Sequence, residues 1–244
     1  NAADATQTYK YVIRNVAQKY GKVATMMPKP ISMDSGSGMH TNVSLWKNNS
    51  NLFFDKDEKD ELSQTGRYFC GGILNHARAL VAISNPTTNS YHRLVPGYEA
   101  PAYIAWSGSN RSAIIRVPQH FKGEKYSHLK RLEFRAPDPA SNPYLVFSAV
   151  LAAGLDGIKK KTDPGEQVRE DIFKMTKTER KERGIVNVPA NLGEALDALE
   201  SDRKFLNPIF TNDVIDKIIE LEKRDQREIS IRPHPHEFYL YFDV

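Results

Sequence analysis

Apolar residues recur at helical spacing near the start of the chain. In TQTYKYVIRNVAQKYGK, residues 6–22, four of them fall on one side of a helix, and Gly21 stands where a helix C-terminus commonly stops. These four are Tyr9, Val12, Val16 and Tyr20. The pattern predicts an amphipathic helix, followed by a short buried strand in VATMM at 23–27.

Alternating apolar and polar residues predict strands further along the chain. MHTNVSLWK at 39–47 places His40, Asn42 and Ser44 on one polar face. AIIRVP at 113–118 is shorter and carries one arginine among apolar residues. We expect both segments to contribute to a sheet.

The stretch RLEFR alternates most clearly. Arg131, Glu133 and Arg135 share one side of a strand, while Leu132 and Phe134 share the other. Antiparallel sheets often expose one face to water, so the charged side is either solvated or part of a site.

Longer apolar patterns predict helices. We expect one buried helix over 64–84, an apolar helix with a basic end over 142–161, exposed helix and loop over 159–185, helices near 192–206 and 212–224, and a final aromatic strand in RPHPHEFYLYFDV.

Residues 85–101, NPTTNSYHRLVPGYEAP, contain three prolines and no helical period. We predict an ordered loop, and loops of this length are usually functional. Glu99 within it could close over a site and exclude water, although an exposed loop carboxylate is the ordinary alternative.

Composition narrows the class of protein without identifying it. The 244 residues are 40% hydrophobic and 26% charged, which is typical of one soluble domain, and a single Cys70 excludes an internal disulfide. The net charge of +4 comes from scattered basic residues, which suits anionic small molecules and argues against nucleic acid. We see no secretory segment and no membrane-spanning run, so we expect a cytoplasmic protein with no membrane partner.

Two groups of side chains suit chemistry. His40 and Glu133 lie on polar strand faces and could form a partial shell for Mg²⁺ or Mn²⁺, although a lone strand histidine is more often structural. Five arginines lie in or beside apolar or turn-rich segments, where planar forks could hold carboxylate or phosphate: Arg93, Arg111, Arg116, Arg131 and Arg135. One such arginine is best explained by a structural ion pair, but five together are not. GSG at 36–38 is a weak phosphate cradle because the Walker lysine is absent.

A long ordered set of motifs resembles type I glutamine synthetase. These motifs are MPKP, GSGMH with Ser44 following, NPTTNSYHRLVPGYEAP, NRSAIIRVP, RLEFRAPDPASNPYL and AGLDGI. The resemblance runs through the whole chain and implies an α+β fold, the glutamine synthetase catalytic domain, in which an antiparallel sheet forms the active-site face with flanking helices. It also implies that residues 1–244 are the C-terminal portion of that domain, with the N-terminal β-grasp domain and first catalytic strands absent.

The resemblance implies a reaction and a set of ligands. The family ligates ammonia to glutamate with ATP through γ-glutamyl phosphate, giving glutamine, ADP and phosphate, and holds two divalent metals per site, Mg²⁺ or Mn²⁺. At matching positions, His40 and Glu133 correspond to metal ligands. Gly36, Arg93 and Arg135 correspond to glutamate-binding residues, with Arg93 on the α-carboxylate.

The remaining matches concern the nucleotide and the chemistry. Ser44, Arg111, Arg116 and Arg131 correspond to nucleotide and phosphate contacts. Arg111 also counts as catalytic, together with Glu99, which in the family accepts a proton from ammonium. Phosphoryl transfer depends on positioning and charge neutralisation, so the five arginines are chemically reasonable.

The resemblance also has departures and a boundary. Ser35, Asn42 and His128 stand where the family usually has Asn, often has His and sometimes has Lys. The family forms a homo-oligomer, a dodecamer of two stacked hexamers, with each site built between neighbouring subunits. Most metal-binding glutamates lie before these residues in the family, so we expect the 244-residue chain alone to be inactive.

Two alternatives stay open on the sequence. A γ-glutamyl-amine (polyamine) ligase of the same superfamily would keep the phosphate machinery and change the acceptor pocket. A non-catalytic structural relative would lose metal or phosphate residues, and retention of His40, Glu99, Glu133 and the arginines argues against it.

Overall fold

The computed structural model describes residues 1–96, 100–119 and 121–244. Its α-helices are α1 (Ala2–Lys19), α2 (Gln64–Asn75), α3 (Ala77–Ser84), α4 (Thr88–Arg93), α5 (Pro143–Lys160), α6 (Lys177–Glu182), α7 (Leu192–Ser201), α8 (Asn212–Ser230) and α9 (Pro235–Tyr241). Its strands are β1 (Thr41–Val43), β2 (Trp46–Lys47), β3 (Ser50–Asn51), β4 (Tyr103–Ser107), β5 (Ala113–Arg116), β6 (Leu132–Phe134) and β7 (Val186–Asn187). Within these ranges, no helix has both the length and the apolar composition needed to span a membrane.

The main sheet has the strand order β1-β6-β5-β4-β7. Strand β6 pairs in antiparallel fashion with β1 and β5, so Glu133 lies opposite Asn42 on one side and Arg116 on the other. Strand β4 is antiparallel to β7 but parallel to β5. The sheet is therefore mixed, and its antiparallel part carries the candidate residues.

All three residues of β6 are buried, but their surroundings differ. Leu132 and Phe134 are fully buried in the core, whereas Glu133 lies on the opposite face. Helix α2 packs on α5 and also contacts β4 and β5. The two helices approach closely because Gly72 meets Gly157, where an added Cβ would lie 2.5 Å from the Gly72 Cα. This contact explains glycines inside predicted helices.

The predicted helix over 64–84 is buried but broken. His76 separates α2 from α3, with φ −98° and ψ 8°, and its side chain is buried against Asp156 and Asp202. The break therefore coincides with a polar side chain held by distant residues, which helical periodicity does not reveal.

Two strand predictions are wrong. VATMM at 23–27 is irregular and Val23 is 97% exposed, and no described strand pairs with this segment. The C-terminal aromatic segment forms α9, because His234 caps its N-terminus in a reciprocal pair with Glu237 and Pro235 occupies the first turn. Local capping thus outweighs the β propensity of the aromatic residues.

The prediction of a loop over 85–101 is wrong for part of the segment, because helix α4 forms within it. Thr87 and Ser90 satisfy each other's backbone N–H groups at its start. The helix is short, yet it places Arg93 at a fixed position beside the sheet.

Helix α1 forms as predicted but exposes its apolar face. Tyr9 is 61% exposed and Val16 is 46% exposed. The side that faces the domain instead carries Lys10, whose Nζ donates a 2.7 Å hydrogen bond to the Ser141 carbonyl oxygen. Ile13 and Ala17 are half-buried on the same side as Lys10, so α1 buries only part of its apolar residues within the described chain.

Candidate active site

Glu133 is the centre of a polar cluster on the charged face of β6. Its Oε1 lies 3.1 Å from the Nδ1 of His40 and accepts a 2.7 Å hydrogen bond from the Nη1 of Arg135. Its Oε2 accepts a longer bond of 3.4 Å from the Nη1 of Arg116. The pairing of β1, β5 and β6 therefore brings four of the sequence-predicted residues into one cluster.

The environment of Glu133 keeps its carboxylate ionised. The hydrogen bond with His40 has the largest effect, and together with Arg135 it outweighs burial and lowers the pKa of Glu133 to about 2. Burial lowers the pKa of Arg135, an effect that Glu133 opposes and that the charges of Arg116 and Arg111 reinforce. Among the described residues, the guanidinium groups of Arg116 and Arg135 therefore bond to one carboxylate.

A pocket of about 220 Å³ lies beside this cluster. It is lined by Lys29, Ser35, Gly36, Gly38, His40, His92, Arg93, Ala100 and Arg135. This described lining contains three permanent cations and no carboxylate. A pocket with such a lining favours anionic groups.

Glycines bring the loop before β1 into direct contact with Arg93. An added Cβ on Gly36 would lie 2.9 Å from the Arg93 Cγ and 2.9 Å from the Pro28 carbonyl oxygen. On Gly38 it would lie 2.5 Å from the Arg93 Nη2. The Ser37 N–H also donates to the Pro28 carbonyl at 2.8 Å. GSG is therefore a close-approach loop rather than a simple turn.

Arg93 is a rigid, buried cation. Its Nη1 and Nη2 donate to the carbonyl oxygens of Ala136 at 2.7 Å and Arg135 at 3.0 Å. Burial lowers its pKa to about 10, with the charge of Asp138 opposing the shift. The guanidinium stays protonated at neutral pH and is held against the backbone that follows β6.

Asp138 of the RAPDP motif supports the site from below. It is fully buried, and it accepts hydrogen bonds of 2.9 Å from the Asn85 Nδ2 and 2.9 Å from the Ala140 N–H. Burial raises its pKa despite these bonds. Its contacts tie the end of α3 to the turn after β6, so its part is structural.

The remaining predicted residues lie elsewhere on the same elements. Arg131 precedes β6 and its Nε donates a 2.8 Å bond to the Asn42 Oδ1, while the Ser44 Oγ accepts a 2.9 Å bond from the Trp46 Nε1. Both lie toward the far end of the β1–β6 pair from His40. Arg111 is exposed before β5, and its charge reaches Arg135.

A family model described as glutamine synthetase, catalytic domain, matches residues 1–241. This chain belongs to the glutamine synthetase catalytic-domain family. It is 54% identical over 245 residues to a glutamine synthetase of Sulfolobus acidocaldarius and 50% identical over 246 residues to one of Streptomyces filamentosus. Each match covers 100% of this chain and 51% of the relative, so the chain spans about half the length of the curated relatives it matches.

Solved structures agree with the family assignment. The fold is similar to that of Plasmodium falciparum glutamine synthetase, with TM-score 0.85 and 32% identity over 98% of this chain and 53% of that one. It is similar to a GmaS/ADP complex with TM-score 0.87 and 34% identity, over 99% of this chain and 54% of that one. The predicted catalytic-domain fold is thereby confirmed.

Sequence reasoning missed two pocket residues of this glutamine synthetase domain. Lys29 lies within MPKP and His92 directly precedes Arg93, and both line the pocket. The Asn89 side chain holds the Lys29 backbone through bonds of 2.8 Å and 2.9 Å. Their places inside recognised motifs were the available signal. Glu99, by contrast, was predicted and lies outside the described residues.

The donor set partly fits the divalent metals of glutamine synthetase. His40 and Glu133 offer an imidazole nitrogen and a carboxylate oxygen 3.1 Å apart, and both are accepted ligands of Mn²⁺ or Mg²⁺. In residues 1–96, 100–119 and 121–244, however, no group of three or more His, Cys, Asp or Glu side chains could hold an ion. The described chain therefore supplies part of a coordination shell.

Proposed function

We propose that this chain forms part of the active site of a glutamate–ammonia ligase, which makes glutamine, ADP and phosphate from glutamate, ammonia and ATP through γ-glutamyl phosphate. The observation that carries the proposal is the Glu133 cluster with His40 and Arg135, placed beside a cationic pocket that is floored by Arg93. The names and identities of the full-length relatives support it.

Glutamate would bind in the 220 Å³ pocket. We assign its α-carboxylate to Arg93, its α-amino group to the backbone near Gly36, and its side-chain carboxylate to the side of Arg135. The fixed position of Arg93 and the excess positive charge of the lining support this assignment. A guanidinium that is already immobilised loses little further entropy on binding.

ATP would lie along the polar face of the β1–β6 pair. We assign Ser44 and Arg131 to the nucleotide, and Arg111 and Arg116 to the phosphoryl group in transfer. In the described chain, Arg131 is near Asn42 at one end of this face and Arg116 is near Glu133 further along. This order suits an elongated ligand, and similarity to a protein solved with ADP supports a nucleotide site.

Two Mg²⁺ or Mn²⁺ ions per site belong to the proposal. His40 and Glu133 would hold one of them, and the bound ion would neutralise charge on phosphate oxygens. The arginines contribute in the same sense without a metal, because fixed guanidinium groups stabilise charge that develops during phosphoryl transfer.

Glu99 would accept the proton of ammonium after phosphoryl transfer, which exposes the nitrogen lone pair for attack on the acyl phosphate. In a Glu99→Gln variant we expect ADP formation to persist while glutamine formation slows, because an amide cannot accept the proton. Rapid-quench measurement of both products would check this. Undiminished glutamine formation would remove Glu99 from the mechanism.

The working enzyme would be a homo-oligomer, proposed as a dodecamer of two stacked hexamers. Exposed apolar residues on α1 and α9, such as Tyr9 and Phe238 at 61% and 62%, suit further protein contacts. The incomplete metal shell of the described residues supports our expectation that the 244-residue chain alone is inactive.

The test is product analysis on the full-length protein with ATP, L-glutamate and either ammonium or a panel of amines including polyamines. We expect ADP and glutamine to form in equal amounts with ammonium. Product with an amine but not with ammonium would overturn the ammonia assignment in favour of a γ-glutamyl-amine ligase. Absence of ADP with every acceptor would overturn the ligase itself.

A further inference from the structure

A second concave surface lies apart from the pocket beside Glu133. It is a groove of about 630 Å³ between α1, the segment 25–28, the start of α4 and the turn that precedes α5. Its lining residues are Gln7, Lys10, Arg14, Thr25, Met26, Met27, Pro28, Thr87, Thr88, Asn89, Pro139, Ala140, Ser141, Asn142 and Ile229. None of them lines the proposed glutamate pocket.

The groove is positively charged. Lys10 and Arg14 contribute cations from adjacent turns of α1, and the described lining includes no aspartate or glutamate. Lys10 is 9% exposed, and one of its three ammonium protons goes to the Ser141 carbonyl oxygen at 2.7 Å. Burial and the charge of Arg14 lower the pKa of Lys10, and the charge of Asp138 opposes this shift. A negative charge added in the groove would act in the same direction as Asp138.

The orientation of α1 gives this cation its position. A helix that buried Tyr9 and Val16 would direct Lys10 to solvent, yet here Lys10 lies on the side turned toward the domain, as do the half-buried Thr6 and Ile13. Burying a lysine is costly unless a partner repays the desolvation. The Ser141 carbonyl and the charge of Asp138 repay part of this cost, and an anion in the groove would interact favourably with both Lys10 and Arg14.

The neutral residues of the groove define the ligand's chemistry. Threonine hydroxyls and the amides of Gln7, Asn89 and Asn142 surround the two cations, with Met26 and Met27 adding apolar wall. Hydroxyls, amides and a lysine–arginine pair suit a compact carboxylate or phosphate group attached to a small organic body.

The groove is connected to the proposed glutamate pocket through two of its residues. The Asn89 side chain clamps the Lys29 backbone at 2.8 Å and 2.9 Å. The Pro28 carbonyl accepts the Ser37 N–H at 2.8 Å and lies against Gly36. A ligand that immobilises Asn89 and Pro28 would therefore immobilise the loop that covers Arg93.

We propose that this groove is an effector site for a small organic anion, bound through a carboxylate or phosphate by Lys10 and Arg14, and that its occupancy orders the 28–38 loop. The binding part stands on the groove alone, while the effect on glutamate rests on the proposed function. Reciprocity requires that glutamate then favours the anion by the same factor.

Methionine methyl NMR on the full-length protein is the test. Met26 and Met27 report on the groove, Met39 on the residues beside His40, and Met175 on a separate apolar cluster. Inorganic phosphate and succinate are titrated separately at constant ionic strength, without ATP or glutamate. We expect saturable shifts at Met26 and Met27 with at least one probe, while the Met175 signal does not shift. Saturation with phosphate or with succinate shows whether the groove binds a phosphate or a carboxylate group.

Charge variants assign the binding. Lys10→Gln keeps a hydrogen-bond donor for Ser141 and should weaken the apparent Kd at least about tenfold, and Arg14→Gln, which is exposed, should weaken it several-fold without affecting folding. Lys19→Gln removes the same charge from an exposed site of α1 and should change nothing. Non-saturating shifts, or equal affinity in the Lys10 and Lys19 variants, would overturn the proposal.

Two further outcomes are decisive. If Lys10 resists amine acylation in the full-length protein and Met26 and Met27 ignore both probes, a polypeptide segment fills the groove and the anion site is refuted. If the probe saturates the groove but leaves the calorimetric Kd for glutamate unchanged, the link to the 28–38 loop is refuted. If the full-length protein did not synthesise glutamine, the methyl shifts would still show whether the groove binds an anion.

Discussion

Two histidines of this chain lie beside carboxylates at similar distances but in contrasting surroundings. The His40 Nδ1 is 3.1 Å from the Glu133 Oε1, beside an open pocket. His76 is 3% exposed, with its two ring nitrogens 2.9 Å and 2.6 Å from oxygens of Asp156 and Asp202. The histidine–carboxylate distances are similar in the two clusters. Distance alone therefore does not distinguish a functional pair from a structural one.

The balance of charge separates them. Around Glu133, two guanidinium groups and an imidazole face one carboxylate among the described residues, so cations outnumber the anion there. Around His76, two carboxylates face one imidazole that is stacked on Phe205 at 4.0 Å. This second cluster joins the α2–α3 break to α5 and to the end of α7, and its histidine is fully engaged. Cations that outnumber the carboxylate beside an open pocket indicate the candidate site. A buried histidine whose two ring nitrogens both have a carboxylate partner indicates a structural role.

The largest effect is expected for Arg116→Lys, which tests the role of the cations around Glu133. Lysine keeps the charge beside Glu133 but loses the planar fork, so we expect kcat in the full-length enzyme to fall about 100- to 1,000-fold with little change in Tm. Arg203→Lys, at the exposed pair with Asp216, is the matched control and should be silent. Steady-state kinetics and thermal unfolding of both variants would check this. Unchanged turnover in Arg116→Lys would show that the cations around Glu133 do not identify the active site.

His76→Ala should have the complementary effect. Removing the imidazole leaves a cavity and takes one partner from each aspartate, while Asp156 keeps Lys160 at 2.8 Å and Asp202 stays partly exposed, so we expect a loss of about 2 kcal/mol in unfolding free energy. Activity per folded molecule should stay within about twofold, a difference well below 1 kcal/mol. Denaturant unfolding of this variant beside the exposed His236→Ala tests the prediction. Equal stability of the two variants would contradict a structural role.

The His76 contribution should also depend on pH. Burial alone would lower the pKa of His76, but the hydrogen bonds that its ring donates to Asp202 and Asp156, together with their charges, outweigh burial and raise the pKa above the ordinary value. The folded state then holds a proton that the unfolded state releases at lower pH. The stabilisation is therefore complete below the unfolded pKa of about 6.5 and is lost as pH rises through the folded pKa. A stability difference from His76→Ala that grows with pH would contradict this sign.

A smaller effect tests the loop over Arg93. In Gly36→Ala the new methyl would meet the Arg93 Cγ and the Pro28 carbonyl, each at 2.9 Å, so either the loop or the guanidinium must shift. We expect KM for glutamate to rise about tenfold while kcat changes less, since ground-state positioning is affected most. Ser37→Ala, in the same loop, is the control. A raised kcat with unchanged KM would contradict the close-approach role.

The parts of the site that sequence predicted are those set by short-range alternation. Arg131, Glu133 and Arg135 share a face because β6 has period two, and burial of Leu132 and Phe134 fixes which face points inward. Helix α5 is also predictable from the sequence, because Asn142 caps its N-terminus and basic residues occupy its last turn. In these elements local pattern and tertiary burial agree.

The predictions fail where residues distant in sequence determine the local structure. VATMM has strand composition, but a strand needs a neighbour, and none pairs with it in the described part of the chain. Helix α1 was found, yet periodicity gave no hint that Lys10 rather than Tyr9 would face the domain. The break at His76 likewise depends on Asp156 and Asp202, which lie 80 and 126 residues away.

The smallest predicted effect concerns Glu222 of α8. This residue is half-buried, but its Oε2 is buried and has no hydrogen-bond partner within the described residues. Burial, aided by the charge of Asp225, raises its pKa to about 9. Glu222 is a third case beside Glu133 and His76, because no cation among the described residues lowers its pKa and the folded protein keeps it neutral at neutral pH.

Glu222→Gln should therefore stabilise the protein, increasingly so at higher pH. The unfolded chain releases this proton near the ordinary pKa, whereas the folded chain keeps it until about pH 9, so wild-type stability falls between those values. Glutamine has nearly the same shape and no proton to lose, and we expect it to gain about 1 kcal/mol at neutral pH and less near pH 5. Glu220→Gln, two residues away on the exposed side of α8 and paired with Lys217, is the control and should show no such trend. Urea unfolding across this pH range measures the difference. A gain that is constant with pH would mean that Glu222 is ionised in the folded state, and an uncompensated buried acid would then not be a separate class in this molecule.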